Sequence, residues 1–276
     1  MRNFKNTIAY LIGASSGIGL ATAKALAERG AHIVLFARKP EGLEQASRVV
    51  AAHRQSADQL VAWKTMDITN HQEVTRVLGD AAAEHGVPDI LINLAGRAYP
   101  RRFTDISFDD FTETMNVNLR GTWSTVSVLA PLMKEKGGCI VNTSSLAGLI
   151  GVYGYADYCA SKFGVIGFSE VLRSELKPDG ISVSVLCPPD TDTPGFAVEN
   201  QTKPEETRAI SAGAKLMSPE NVAESLIRGL RRNRRLIVPG FGNRITVGLA
   251  RTAPWLVEMV TDRIVRKVGR STRGLS

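Results

Sequence analysis

Cysteine is scarce in this chain. There are three among 276 residues, Cys139, Cys159 and Cys187, and no CxxC pair. An odd, widely scattered set argues against a secreted disulfide scaffold and predicts a reducing compartment. Histidine is nearly as rare, with His32, His53, His71 and His85 at no ligand spacing, so no zinc site is expected. No run of eighteen uncharged apolar residues occurs, and no spanning helix is predicted. The opening MRNFKNTIAYLIG lacks an apolar h-region and a small-residue cleavage site, which predicts no signal peptide and a cytoplasmic location.

What is present is ordinary for a globular protein. Hydrophobic residues make up 43% and charged residues 22%, enough for one large domain with a core that needs no disulfides. The charge is uneven. Residues 228–276 hold twelve Lys and Arg against two Asp and Glu, a net +10. The other 227 residues hold 22 basic and 25 acidic side chains, a net −3. A basic tail of this kind suits an anionic membrane surface or a polyanion, or is simply a solvated face. It lacks the interleaved aromatics of a nucleic-acid binder, so nucleic acid is not expected as a partner.

Short apolar runs alternate with longer helical patterns. Strands are expected at 7–12, 32–37, 60–66, 89–93, 139–143 and 181–187, with a seventh at 236–238. Helices are expected near 17–29, 41–55, 70–85, 108–136, 157–177 and 219–232. The alternation predicts an α/β fold, a Rossmann-like doubly wound parallel sheet of about seven strands with helices on both faces. Residues 188–217, rich in Pro, Thr and charge, read as one long irregular loop, the usual form of a functional lid.

The first strand runs into Gly13-Ala14-Ser15-Ser16-Gly17-Ile18-Gly19 and then a helix. Glycines permit the tight turn and close backbone approach, and the helix N-terminus offers amides to an anion, so this turn reads as a pyrophosphate cradle. An acid that would hold a ribose 2′-hydroxyl is missing after the second strand. Arg38 and Lys39 stand there instead, and adjacent cations suit a 2′-phosphate, favouring NADPH over NADH.

Tyr158 and Lys162, four apart in a helical pattern, share one face. A neighbouring ammonium favours the phenolate, so the tyrosine pKa is expected to fall toward neutrality. Ser144 and Ser145 follow the fifth strand, Asn93-Leu94-Ala95-Gly96 follows the fourth, and Asn118 lies within the long helix that starts near Phe108. Ligands of open α/β sheets bind at such carboxyl ends.

Taken in this order, the glycine turn, Asn-x-Ala-Gly, Asn118, Ser145, Tyr158 and Lys162 resemble the short-chain dehydrogenase/reductase superfamily over roughly residues 7–240. The resemblance implies that Tyr158 is the general acid and that Ser145 polarises the carbonyl. It implies that Lys162 binds the nicotinamide ribose and that Asn118 holds a relay water. Gly13, Ser15, Ser16, Gly17, Ile18 and Gly19 would cradle the diphosphate, with Arg38 and Lys39 on the 2′-phosphate. Asp67 and Ile68 would meet the adenine, Asn93 and Gly96 would line the trough, and Thr193 would meet the carboxamide. Two positions depart from the family pattern, Ile12 before the first glycine and Leu94 within the Asn turn. The superfamily pairs its long helices, here 108–136 and 157–177, which implies a homodimer or homotetramer.

The loop from Pro188 to Ser211, with DTDTPGF, ENQTKP and ETR, is similar to the substrate loop of 3-ketodihydrosphingosine reductases. This implies a long-chain keto-lipid substrate reduced with NADPH in sphingolipid metabolism. Asp190 or Asp192 would pair with the ammonium beside the ketone, or would cap turns. The alternatives are a reductase of another lipid ketone, steroid or 3-oxoacyl, and a non-catalytic NADPH-sensing module. The chain thus divides into a reductase domain, 1–240, and a basic amphipathic extension, 241–276. In the extension Leu256, Met259, Val260, Ile264 and Val268 would share a face. Trp255, Arg263, Arg266, Lys267 and Arg270 would suit a peripheral contact with an anionic membrane, or the helix would pack on its own domain or a second subunit.

Overall fold

A computed structural model describes residues 3–213 and 215–273, with side chains to Val268. Seven parallel strands form one sheet in the order β3-β2-β1-β4-β5-β6-β7. They are β1 (Ile8–Ile12), β2 (His32–Ala37), β3 (Val61–Thr65), β4 (Ile90–Asn93), β5 (Gly138–Thr143), β6 (Ile181–Leu186) and β7 (Leu236–Ile237). The order reverses between β1 and β4, which opens a crevice at their carboxyl ends.

The apolar runs alternate between two cores, as strand geometry requires. Ala9, Leu11, Ile33, Leu35, Ile90, Ile92 and Val141 face one side. There they meet α1 (Gly17–Ala27), α2 (Pro40–Ala51) and a later helix carrying Val222, Leu226 and Leu230. Tyr10, Ile12, Val34, Phe36, Leu91 and Ile140 face the other side. That side is covered by α3 (His71–His85), by helices carrying Val126, Leu129 and Met133, and by the flank of a helix with Phe168 and Leu172.

The single helix expected over 108–136 is interrupted. It consists of α4 (Phe108–Met115), a π-turn at Asn116–Arg120 and α5 (Gly121–Met133). The Gly121 N–H reaches the Asn116 carbonyl, one residue further than in an α-helix. Such wide turns concentrate at functional sites, and this one carries Asn118. The helix α6 (Ala156–Glu175) follows β5 and holds Tyr158 and Lys162.

The stretch 188–217 is not one irregular loop. It contains α7 (Pro194–Thr202) and α8 (Glu205–Ser211), and Thr191 bridges Met217 in parallel. Thr193 caps α7 by accepting from Phe196 N at 3.1 Å, and Pro194 occupies its first position. A cap followed by Pro is a helix start, masked in the sequence by the surrounding prolines. After α9 (Pro219–Arg231) come α10 (Phe241–Thr252) and α11 (Pro254–Arg273).

The C-terminal helices are built onto the domain. Val247 of α10 is buried with Val185, Cys187 and Val238, and α11 packs on α8. Leu256, Ile264 and Val268 lie partly buried as expected, but Val257 and Val265 join them while Met259 and Val260 are exposed. The inward face is thus turned relative to the sequence stripe, because contact with α8 decides it. The Arg270 side chain lies outside the described residues. Among the described residues no helix is long and apolar enough to cross a membrane.

Candidate active site

The crevice begins at the glycine turn. Gly13 and Gly17 have φ +83° and +53°, a region in which only glycine is unstrained. A Cβ on Gly13 would lie 2.5 Å from Ala95 N, and one on Gly19 would lie 2.3 Å from Gly13 O. Ser16 precedes α1, and its side chain caps none of the first amides. A turn this closely packed, opening onto uncapped helix amides, fits a dinucleotide diphosphate. Ser15 lies against Gly42, where a Cβ would meet Ser15 Cβ at 3.3 Å, and so faces the start of α2. Arg38 and Lys39 are exposed between β2 and α2. Asp67 Oδ1 accepts from Thr69 N and Oγ1 at 2.9 and 2.8 Å, which forms the turn after β3. Ile68 is buried against Gly121, whose Cβ, if present, would lie 2.7 Å from Ile68 Cδ1.

Asn93 turns its side chain away from the trough. Its Nδ2 donates to Asn142 Oδ1 at 2.9 Å, and its Oδ1 accepts from Thr125 Oγ1 at 2.7 Å. Asn142 continues to Ser169 Oγ at 3.0 Å. Asn93 therefore ties β4 to β5 and α5. Gly96 does face the site, since a Cβ there would approach Asn118 Oδ1 and Lys162 Nζ, each at 3.3 Å.

Asn118 is fully buried. It accepts from Arg97 N at 2.9 Å, and donates to Arg97 O at 3.0 Å and Ser161 Oγ at 2.9 Å. Both of its amide hydrogens are thus committed to clamping the segment after β4 onto α6. A relay through Asn118 would have to use an oxygen lone pair or its main-chain carbonyl.

Ser145, Tyr158 and Lys162 come together at the carboxyl end of β5. Ser145 is extended, accepts from Ala147 N at 3.1 Å, and its hydroxyl lies close enough to the Tyr158 phenol to favour the phenolate. Lys162 is buried and donates to Thr143 O at 3.0 Å, with its Nζ 5.6 Å from the Tyr158 ring centre. Burial pushes the Lys162 ammonium down to about 8. The lowering expected for Tyr158 is not found. Burial raises its phenol above the usual range, the Ser145 hydrogen bond works against that rise, and Glu199 and Asp190 add to it. In a desolvated site the loss of hydration outweighs a lysine whose hydrogen bond is spent on a backbone carbonyl. The three cysteines are buried and unpaired, and burial raises the Cys159 thiol and holds the Cys187 thiol up at about 12, so neither of these two is a ready thiolate.

Thr193 closes the site from the loop side. A Cβ on Gly17 would lie 2.9 Å from Thr193 Cγ2, so α7 starts directly over the glycine turn. One group next to Tyr158 escaped the sequence reading. The Tyr155 ring lies 5.6 Å from that of Tyr158, and its hydroxyl donates to Glu199 Oε1. Lys203 Nζ lies 3.3 Å from Glu199 and 3.6 Å from Asp190, and over the Phe196 ring at 4.1 Å. The spacing of four between Glu199 and Lys203 was the available signal, hidden because the segment read as irregular. Asp192 is exposed on the other side of the bridge to Met217.

The short chain dehydrogenase family profile matches residues 7–204. The chain belongs to the short-chain dehydrogenase family. Among the curated members it resembles, the bovine 3-ketodihydrosphingosine reductase is 38% identical over 218 residues, 78% of this chain and 66% of that one. The 3-ketodihydrosphingosine reductase of Dictyostelium discoideum is 39% identical over 236 residues, 80% of this chain and 71% of that one. The chain thus spans just under two thirds of the length of the vertebrate relatives. A short-chain dehydrogenase/reductase of Burkholderia phymatum, solved in complex with NAD, superposes with TM-score 0.79 at 26% identity over 93% of this chain and 96% of that one.

Within this short-chain dehydrogenase, Arg38 gives a direct test of the cofactor reading. Arg38→Ala should raise KM for NADPH by about ten- to a hundredfold, the worth of a lost charge-assisted contact. KM for NADH should change far less. Initial rates with both nucleotides read the ratio, and equal changes would assign the 2′-phosphate elsewhere.

Proposed function

We propose that this chain is an NADPH-dependent reductase of a long-chain amino ketone of the 3-ketodihydrosphingosine type. The observation that carries the proposal is the convergence of Ser145, Tyr158 and Lys162 at the carboxyl edge of β5, where the Ser145 hydroxyl acts on the Tyr158 phenol and Lys162 is anchored on Thr143 O. Bound at the glycine turn, the nicotinamide nucleotide would supply the hydride. The residues do the rest. Tyr158, kept protonated by burial, holds the proton that a reduced carbonyl oxygen requires. Ser145 offers a hydroxyl to the same oxygen as negative charge grows on it. Lys162 would bind the ribose hydroxyls, and Arg38 and Lys39 the 2′-phosphate. A chain that only sensed the nucleotide would have no need of the Ser145–Tyr158 pair.

The substrate class rests on α7 and α8, which meet Tyr155 and Tyr153 just ahead of Tyr158 through Glu199 and Thr207, and on the reductases named above. Purified protein with NADPH and a panel of keto-lipids tests the proposal. The 3-keto sphingoid base should be consumed with the highest kcat/KM, followed by loss of absorbance at the nicotinamide band. A higher value for a steroid or 3-oxoacyl ketone would transfer the function to that lipid.

Peripheral membrane contact and self-association belong to the same proposal. Phe241, Ile245 and Leu249 form an exposed stripe on α10, and Trp255, Met259 and Val260 another on α11, beside Arg263, Arg266 and Lys267. Apolar residues rimmed by cations suit an anionic interface. Sedimentation with anionic vesicles should fall several-fold in the Trp255→Ser, Met259→Ser double variant; unchanged sedimentation would refute the contact. Exposed Trp123 stacks on Phe168 at 4.7 Å, with Phe163 and Val171 exposed along α6. This apolar face is the one on which a second copy would pack, and a monomeric mass in solution would dismiss it.

A further inference from the structure

The charged group beside Tyr158 has no assigned role. Two carboxylates, Glu199 and Asp190, share a single ammonium, that of Lys203. The Lys203 side chain is 3% exposed and that of Glu199 17%, so solvent screens this charge poorly. Burial raises the Glu199 carboxyl, and Tyr155 and Lys203 hold it down; with all three groups ionised, the two carboxylates and one ammonium leave one negative charge over. Arg208 on α8 forms no ion pair with either carboxylate. Its guanidinium is engaged by the main-chain oxygens of Lys203 and Asn200, at 3.1 and 2.7 Å.

That charge lies close to the reacting position. Glu199 accepts from the hydroxyl of Tyr155, whose ring touches that of Tyr158. The fields of Glu199 and Asp190 both reach the Tyr158 phenol. Residual negative charge next to a proton donor serves no obvious purpose for a neutral ketone, because it opposes the charge that grows on the carbonyl oxygen. It makes physical sense if the substrate brings its own cation. In an α-amino ketone the ammonium sits on the carbon adjacent to the carbonyl. Its partner must therefore lie near the Tyr158 hydroxyl, and Glu199 is one residue removed from that phenol, through Tyr155.

We infer that Glu199, held by Tyr155 and balanced against Lys203 and Asp190, is the counter-ion for the substrate ammonium and selects amino ketones over neutral ones. This inference rests on the proposed function and adds to it the residue that reads the amine. It also moves that role from the two loop aspartates: Glu199, and not Asp190, accepts from the Tyr155 hydroxyl beside Tyr158, and Asp192 lies exposed. Asp190 then acts as a positioning residue: it shares the Lys203 ammonium at 3.6 Å, so that Glu199, 3.3 Å from the same ammonium, is only partly neutralised.

The test compares the 3-keto sphingoid base with its deamino analogue, a neutral ketone of equal chain length, in wild type and in Glu199→Gln. Gln keeps the shape and can still accept from Tyr155. The variant should lose about tenfold or more in kcat/KM for the amino ketone relative to its loss for the neutral ketone, as expected for one charge-assisted contact. Most of this should appear in KM. An equal loss for both ketones would overturn the inference and leave the proposed function standing. Failure of the wild type to reduce either ketone would overturn both. The N-acetylated amino ketone gives a second reading on the wild type alone, independent of whether the variant folds. Acetylation removes the charge, and it should lower kcat/KM by more than removal of the whole amino group does. A preference for the acetylated or the neutral ketone over the free amine would reject Glu199 as a counter-ion.

Discussion

Tyr158→Phe is expected to lower kcat for ketone reduction by about a hundredfold to ten-thousandfold, the range for losing a positioned general acid. The substitution removes one oxygen and keeps the ring that packs on Tyr155, so the melting temperature should move little. KM for the nucleotide should also hold, because Lys162 Nζ is anchored on Thr143 O and not on the phenol. The loss should therefore fall on kcat and kcat/KM together, the pattern of an interaction made in the transition state. Single-turnover rates with NADPH and the keto sphingoid base measure it directly. Turnover near the wild-type rate would mean that the proton comes from another group, and the proposed chemistry would fail.

The second large effect is expected at Gly148. A Cβ there would lie 2.1 Å from Ser144 Oγ, 2.8 Å from Lys162 O and 2.9 Å from Lys162 C. Ser144 Oγ is itself bound to Lys162 O at 2.8 Å, so neither neighbour can give way without moving the other. One methyl group would push α6 away from the end of β5 and separate Ser145 from Tyr158 and Lys162. A displacement of about 1 Å in a reacting set can cost about a hundredfold in rate, and Gly148→Ala should show a kcat loss of that order. Nucleotide affinity should fall far less than kcat, because only the Lys162 contact is disturbed and the glycine turn is untouched, as titration of nucleotide fluorescence would show. Full activity would mean that α6 and β5 are not rigidly joined at this point.

Much of the fold could be read from patterning. The strands from Ile8 to Leu186 are short apolar runs bounded by turn residues, and sheet burial on both faces leaves that signature. The reading failed where tertiary contacts overrode local signals. The π-turn at Asn116–Arg120 looks like ordinary helix, because its composition does not register a one-residue change in hydrogen bonding. The helices α7 and α8 were hidden by Pro194 and Pro204, which start helices here although they break them elsewhere. On α11 the stripe was misplaced because the position of α8 is a long-range fact.

The candidate site was legible in part. Spacing placed Tyr158 and Lys162 on one helix face, and chain order placed Ser145 at a strand end, where the structure has them. Burial depends on packing, so the rise in the Tyr158 pKa could not be seen. Nor could the inward turn of Asn93, since its partners Asn142 and Thr125 are distant in sequence. Glu199 was missed because its link to Tyr155 is equally distant in sequence, while its spacing to Lys203 was masked in a segment that read as irregular.

The row of amides and hydroxyls through Thr125, Asn93, Asn142 and Ser169 has a further effect. Strands that are greasy on both sides could slide past one another with little change in oil-like contact, since one aliphatic side chain replaces another. Two facing asparagines cannot. Shifted by a single residue, each would bury unanswered polar atoms at a cost of about 1–3 kcal/mol apiece. The middle of the sheet is thereby indexed by polarity, and the edge from which the reacting groups project inherits one fixed alignment.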